Sequence, residues 1–152
     1  MITVTREFSF SMGHTLTDYP GDCARLHGHN YRFLVEIGYS PDPNTGMVVD
    51  FADLKRLVDP IVDDLDHHFM IWSEDPRADA LQALDVSSVI ISDTNPTAEN
   101  IGTLLGRQIN SSLRFRGKAA QIKRIKEDLP NLTLHSTTLW ETEKSYATHV
   151  YG

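Results

Sequence analysis

The sequence predicts an α+β fold, an antiparallel sheet of four strands with two helices on one face, and three observations lead there. Apolar residues alternate at the start of the chain and again after a glycine-containing gap. Two later segments carry apolar residues at helical spacing behind turn and cap signals. The C-terminal part returns to short runs of Thr, Leu, Trp and Tyr, which suit strands. The order strand, strand, helix, helix, strand, strand places helices over one side of an antiparallel sheet.

Each element has its own justification. Ile2, Val4, Phe8 and Phe10 alternate with polar neighbours, and "HNYRFLVEIGYS" does the same through Tyr31, Phe33, Val35 and Ile37, so both segments read as half-buried strands. Between them, Gly13, Pro20, Gly21 and Gly28 mark a loop. "PDPNTGMVVDF" predicts a turn over Pro43 to Gly46 and then a short strand. Asp50 is the expected N-cap of a helix whose apolar stripe is Leu54, Leu57, Val58, Ile61, Val62 and Leu65, with Pro60 expected to kink it. Residues 69–95 are the least legible stretch: "DPRADALQALD" reads as a short helix and "SSVIIS" as a short strand. "NPTAEN" opens the second long helix, with Thr97 as its cap and Ile101, Leu104, Leu105 and Ile109 on one face. Beyond Gly117, strands are expected over roughly 119–127, 132–142 and 146–151.

Composition narrows the function classes. The chain has 152 residues, 40% of them hydrophobic, enough for one domain over 1–152 with its own core. No segment approaches the roughly 18–20 consecutive apolar residues of a membrane helix, and "MITVTREFSFSMGH" lacks a basic and an apolar leader region, so a cytoplasmic protein is expected. Cys23 is the single cysteine and has no internal disulfide partner; it is either a small buried hydrophobe or a reactive thiol. Fourteen Lys and Arg against 21 Asp and Glu give a net charge of -7, which argues against a sequence-independent nucleic-acid binder. A polyanionic small molecule is compatible if a few basic residues converge.

Five of the seven histidines, His14, His27, His29, His67 and His68, fall in the first half of the chain. Side chains two apart on an extended segment share a face, so His27 and His29 can reach one metal ion, with Gly28 between them removing bulk. His14, at the end of the first strand, is the candidate third ligand if the two strands pair. Three imidazoles with an open fourth position describe a catalytic zinc site. Cys23 as a fourth ligand is the rival reading, and His14 as an ordinary core or surface imidazole stays open. In "DDLDHHF", Asp66 precedes His67 and could orient it for acid/base work, or the acidic run with Asp63 and Asp64 could be a solvated helix end.

Taken together, "FSFSMGH", "CARLHGHNY", "TGMVVDFADLK", "LDHHF", "PTAEN" and "LWET" stand in the order of the motifs of the 6-pyruvoyltetrahydropterin and 6-carboxytetrahydropterin synthase superfamily, which this sequence resembles over most of its length. The resemblance implies a T-fold, assembled through sheet edges into trimeric barrels and then a homohexamer. It implies that His14, His27 and His29 hold Zn²⁺, that Cys23 is the catalytic thiol, and that Asp66 and His67 assist it from a neighbouring subunit. Glu141 corresponds to the pterin-anchoring glutamate, with Thr97 and Glu99 as secondary candidates for the same pocket or as plain helix-capping residues. The implied substrate is 7,8-dihydroneopterin triphosphate; Arg6, Arg25, Arg32 and Lys144 are the basic candidates for its phosphates. The three-residue gap between Cys23 and His27 resembles the bacterial enzymes of 7-deazaguanine (queuosine precursor) biosynthesis, whose products are 6-carboxy-5,6,7,8-tetrahydropterin, acetaldehyde and triphosphate. A 6-pyruvoyltetrahydropterin synthase and a noncatalytic zinc- or pterin-binding module are the alternatives. Residues 69–95 are longer than in the compact bacterial members and read as a family-variable insertion.

Overall fold

The computed structural model describes residues 1–115 and 132–152. The strand expected over 119–127 lies outside the described residues. Strands β1 (Ile2–His14) and β2 (His27–Tyr39) form a long antiparallel ribbon joined through a 3₁₀ turn at Asp22–Ala24. Helix α1 (Phe51–Asp63), strand β3 (His68–Trp72), helix α2 (Ala78–Leu84) and strand β4 (Val89–Ser92) follow. Helix α3 (Ala98–Phe115), β5 (Thr133–Thr142) and β6 (Ser145–Val150) complete the described elements.

The sheet order is β4-β3-β1-β2-β5-β6, six strands among the described residues rather than the four antiparallel ones expected. It is a mixed sheet, because β3 runs parallel to β1 and β4 parallel to β3. The reason lies in the connections. After β2 the chain crosses over by way of α1 and returns beside β1 in the same direction, and α2 then carries it from β3 to β4 in a second parallel crossover. β3 is only five residues, "HFMIW", and has no alternation to reveal it. The short helix and short strand expected within 69–95 are α2 and β4, which makes three helices in all among the described residues.

The strand expected after the Pro43–Gly46 turn does not form. The Met47 carbonyl accepts from the Asp42 amide at 2.8 Å and its amide donates to Thr45 Oγ1 at 3.3 Å, so this backbone is spent within the turn. Asp50 caps α1 as expected, accepting from the Ala52 amide at 2.7 Å, and Pro60 lies inside the helix. The inward stripe of α1 and Ile101, Leu105 and Ile109 of α3 cover one side of the sheet against Phe8, Phe10, Phe33, Val35 and Leu139. Each such fully buried aromatic or aliphatic side chain contributes on the order of 2 kcal/mol. Gly106 of α3 leaves room for the Tyr151 ring, whose hydroxyl lies 3.1 Å from Thr137 Oγ1 and ties the end of the chain to the sheet. Among the described residues no helix is long and apolar enough to cross a membrane.

Candidate metal centre and active site

The β1–β2 register pairs His14 with His27, Met12 with His29 and Phe10 with Tyr31. Alternation then puts His14, Met12 and Phe10 on one face with His27, His29 and Tyr31, so the apolar ladder of the core ends in three imidazoles. Their ligand atoms all lie within 4.8 Å of one another. The ring centroids of His14 and His27 are 4.5 Å apart, and those of His27 and His29 5.0 Å. Gly28 is required here because its partner strand comes close: a Cβ would sit 3.1 Å from the Met12 carbonyl oxygen and 3.3 Å from Gly13 Cα.

Hydrogen bonding aims these rings. His14 Nδ1 lies 2.7 Å from the Pro96 carbonyl oxygen, and His27 Nδ1 2.7 Å from that of Arg25, contacts that place the proton on Nδ1 and leave the Nε2 lone pair free. The Nε2 atoms of His14, His27 and His29 are all buried, and none has a hydrogen-bond partner among the described residues. Leaving a buried polar atom unpaired costs about 1–3 kcal/mol. Three convergent ones are a donor set waiting for a cation. Burial, aided by the neighbouring His27 and His29, lowers the pKa of His14 to about 4, and burial also lowers that of His29, which favours the neutral, ligating form of these two rings. Imidazoles converging in this number suit zinc.

The Glu141 carboxylate, near the end of β5, lies 3.6 Å from His29 Nε2 and 4.0 Å from His14 Nε2. Among the described residues it is the carboxylate within 4.0 Å of these rings, positioned to balance a bound cation or to meet donors of a ligand above it. Cys23 is half-buried in the 3₁₀ turn between β1 and β2 and is not part of the three-imidazole cluster. Tyr31, which the sequence marks only as a member of the second strand's alternation, is the next member of the i, i+2 series begun by His27 and His29. It is fully buried beneath His14, its hydroxyl 3.4 Å from His14 Nδ1, and burial together with the charges of Glu141 and Cys23 pushes that hydroxyl's pKa up.

Asp66 and His67 do touch. Asp66 Oδ1 accepts from the Ser11 amide at 2.7 Å, the His67 amide donates to the Ser11 carbonyl at 2.7 Å, and His67 Nδ1 stands 2.9 Å from Asp66 Oδ2. The Ser11 amide first, and His67 after it, hold the Asp66 carboxyl below the usual carboxylate range. His67 has φ 59°, a left-handed conformation costing about 1 kcal/mol or more in a non-glycine residue, and its side chain is 84% exposed. It borders a hollow with Ser11, Met12, Gly13, Gly28, His29 and Asn30. Its ring is not among the three that could share one ion.

Thr97 serves as the cap of α3, its hydroxyl accepting from the Asn100 amide at 3.3 Å, and Glu99 is exposed in the first helical turn. The contribution of this segment to the histidines comes instead from the Pro96 carbonyl, a backbone group that side-chain motifs do not advertise. Of the basic candidates, Arg32 is paired with Glu7 at 2.8 Å and Arg6 donates to the Phe51 carbonyl at 3.0 Å.

The profile of the 6-pyruvoyl tetrahydropterin synthase family matches residues 3–150. A 6-carboxy-5,6,7,8-tetrahydropterin synthase of Haemophilus influenzae is 34% identical over 158 aligned residues, covering 96% of this chain and 96% of that one. A probable 6-carboxy-5,6,7,8-tetrahydropterin synthase of Halobacterium salinarum is 40% identical over 71% of this chain and 69% of its own. Among solved structures, the 6-pyruvoyl tetrahydropterin synthase of Caenorhabditis elegans superposes with a TM-score of 0.67 at 25% identity, covering 99% of this chain and 96% of that one. An uncharacterised Wolinella succinogenes protein superposes with a TM-score of 0.75 at 23% identity, covering 99% and 98%, and supports the fold.

Proposed function

The chain belongs to the 6-pyruvoyl tetrahydropterin synthase family, and from that premise we propose that it is a 6-carboxy-5,6,7,8-tetrahydropterin synthase. It converts 7,8-dihydroneopterin triphosphate and water to 6-carboxytetrahydropterin, acetaldehyde and triphosphate, as a cytoplasmic lyase of queuosine-precursor biosynthesis built on a single T-fold domain. The observation that carries this reading is the trio of partnerless Nε2 atoms beside Glu141, in a chain 34% identical over 96% of its length to an enzyme of that name.

His14, His27 and His29 are the residues that would hold Zn²⁺; when bound, the ion supplies Lewis acidity that makes a coordinated hydroxyl easier to deprotonate. Cys23 acts as the thiolate base toward the carbon beside that hydroxyl. Glu141 accepts hydrogen bonds from the pterin's amino and ring N–H groups, a bidentate match for a carboxylate. Asp66 keeps His67 in one tautomer, so that Nε2 can take up and return protons during the redox-neutral rearrangement. His67 serves the site of a neighbouring subunit in a homohexamer built from two trimers, as the family resemblance implies. The exposure of its ring supports that role. Thr97 and Glu99 are the secondary candidates for contact with the same ligand.

The test is incubation of zinc-loaded protein with 7,8-dihydroneopterin triphosphate and mass analysis of the pterin. 6-Carboxytetrahydropterin with acetaldehyde is expected. 6-Pyruvoyltetrahydropterin would move the chain to the sister activity, and no turnover by fully loaded protein would leave a zinc- or pterin-binding module.

A further inference from the structure

The segment between β3 and α2 carries a network that the proposed reaction does not use. Asp75 is 4% exposed, and its carboxylate accepts four hydrogen bonds: from the Arg77 amide and Nε on Oδ1, both at 2.9 Å, and from Arg77 Nη2 and Thr17 Oγ1 on Oδ2, both at 2.8 Å. A buried carboxylate with its lone pairs filled in this way is a fixed anchor. The guanidinium it holds uses two further donors on another part of the chain. Nη1 donates to the Ala24 carbonyl at 2.9 Å and Nη2 to Thr15 Oγ1 at 3.0 Å, and that hydroxyl itself donates to the Ala24 carbonyl at 2.8 Å.

Ala24 follows Cys23 directly. The Cys23 carbonyl is held as well, by the Leu16 amide at 2.8 Å. Both carbonyls of the turn that presents the thiol are therefore pinned, the second of them by two donors, one of which arrives from 53 residues away. Thr17 is anchored in turn to the start of α3, donating its amide to Asn95 Oδ1 and accepting from Asn95 Nδ2, both at 3.0 Å. The turn is otherwise a weak element: three residues of 3₁₀ helix with no side-chain cap and no buried residue of its own. What holds it comes from outside.

We propose that Asp75 and Arg77 are positioning residues for Cys23, a carboxylate-guanidinium clasp by which the 69–95 segment sets the place of the thiol relative to the three imidazoles. This rests on Cys23 being the catalytic thiol. The chemistry asks for such a clasp, because a base must stand within hydrogen-bond reach of the proton it removes, and misplacement by about 1 Å costs on the order of a hundredfold in rate. Lysine cannot replace the arginine, since a single ammonium cannot span Asp75, Thr15 and the Ala24 carbonyl together.

The experiment uses Arg77→Lys, which keeps a cation beside Asp75, and the double variant Asp75→Asn/Arg77→Ala, which removes both charges if the first folds poorly. Zinc content, kcat, KM and the rate of iodoacetamide alkylation are measured on each. Cys23 is the sole cysteine, so alkylation reports on it alone. The clasp predicts unchanged zinc, KM within about twofold, kcat lower by about tenfold or more, and alkylation faster by about threefold or more as the turn loosens. Wild-type alkylation in both variants overturns it, whatever happens to kcat, and so does faster alkylation with wild-type kcat. Full activity in Cys23→Ala would instead count against the thiol's catalytic role, an outcome that the alkylation rates keep separate from a failure of the clasp itself.

Discussion

His14 and Thr15 are neighbours in the chain and both are buried, at 1% and 0% exposure, yet the structure treats them in opposite ways. The Thr15 hydroxyl donates to Ala24 and accepts from Arg77 inside a network whose central carboxylate is fully occupied. His14 has Nδ1 directed to Pro96 and its Nε2 left bare, as do His27 and His29 theirs. A chain able to saturate one buried polar cluster within a residue of another has not left the second unsaturated for want of partners. Glu141, 4.0 Å from His14 Nε2, is too far for a hydrogen bond. Saturated polar groups hold shape, whereas convergent unsaturated ones hold a place for a ligand.

The contrast breaks most visibly at the bare atoms. His27→Ala leaves two imidazoles, so metal analysis of the purified protein should find zinc reduced to a small fraction of one per chain, with activity lost. Cys23→Ala should keep near-stoichiometric zinc and lose turnover by about a hundredfold or more. A metal-free Cys23→Ala protein would place the thiol among the ligands and end its assignment as the base.

At the saturated cluster the loss should appear in stability. Asp75→Ala removes the carboxylate that Arg77 and Thr17 share and should cost about 2–4 kcal/mol in denaturant unfolding, with the zinc content of the folded protein unchanged. The pH dependence has a definite sign. Hydrogen bonding from Arg77 holds the Asp75 carboxyl well below its ordinary value of 3.8, so its folded-state pKa is depressed. The unfolded chain then binds more protons at acid pH, and the contribution of Asp75 is complete at neutral pH and is lost as the pH falls through and below that ordinary value. Between about pH 6 and pH 3 the wild type should lose more stability than Asp75→Asn. Parallel curves would mean that the clasp carries no net stabilisation.

The smallest effect sharpens the boundary between the two kinds of group. If Glu141 meets the pterin's donors as proposed, Glu141→Gln sets an NH₂ against them and should weaken substrate or product binding by about 1.5–3 kcal/mol while zinc stays in place. Calorimetry with a pterin ligand checks it. Unaltered affinity would move the anchor elsewhere, with Glu99 the next residue to replace.

Local pattern alone determined a good deal of this protein. Alternation in Ile2–Phe10 and Tyr31–Ile37, the Asp50 cap and the stripes of α1 and α3 were legible because each is a periodic response to one buried face. His27 and His29 were legible as a pair for the same reason, and His14 joined them once the two strands were allowed to pair. At the sheet's other edge β4 was legible as a short strand, but β3 and the parallel direction of both were not, since β3 and β4 are five- and four-residue runs whose direction depends on crossovers. Nor could motifs reveal the Pro96 carbonyl behind His14 or the reach of Arg77 to Ala24, because these bonds span 82 and 53 residues and involve backbone oxygens that every residue possesses. The placement of His67 was likewise a tertiary decision, made by two hydrogen bonds to the Ser11 backbone and one left-handed residue. Periodicity reports what a segment buries; only the folded chain decides which distant backbone group meets the side chain left over.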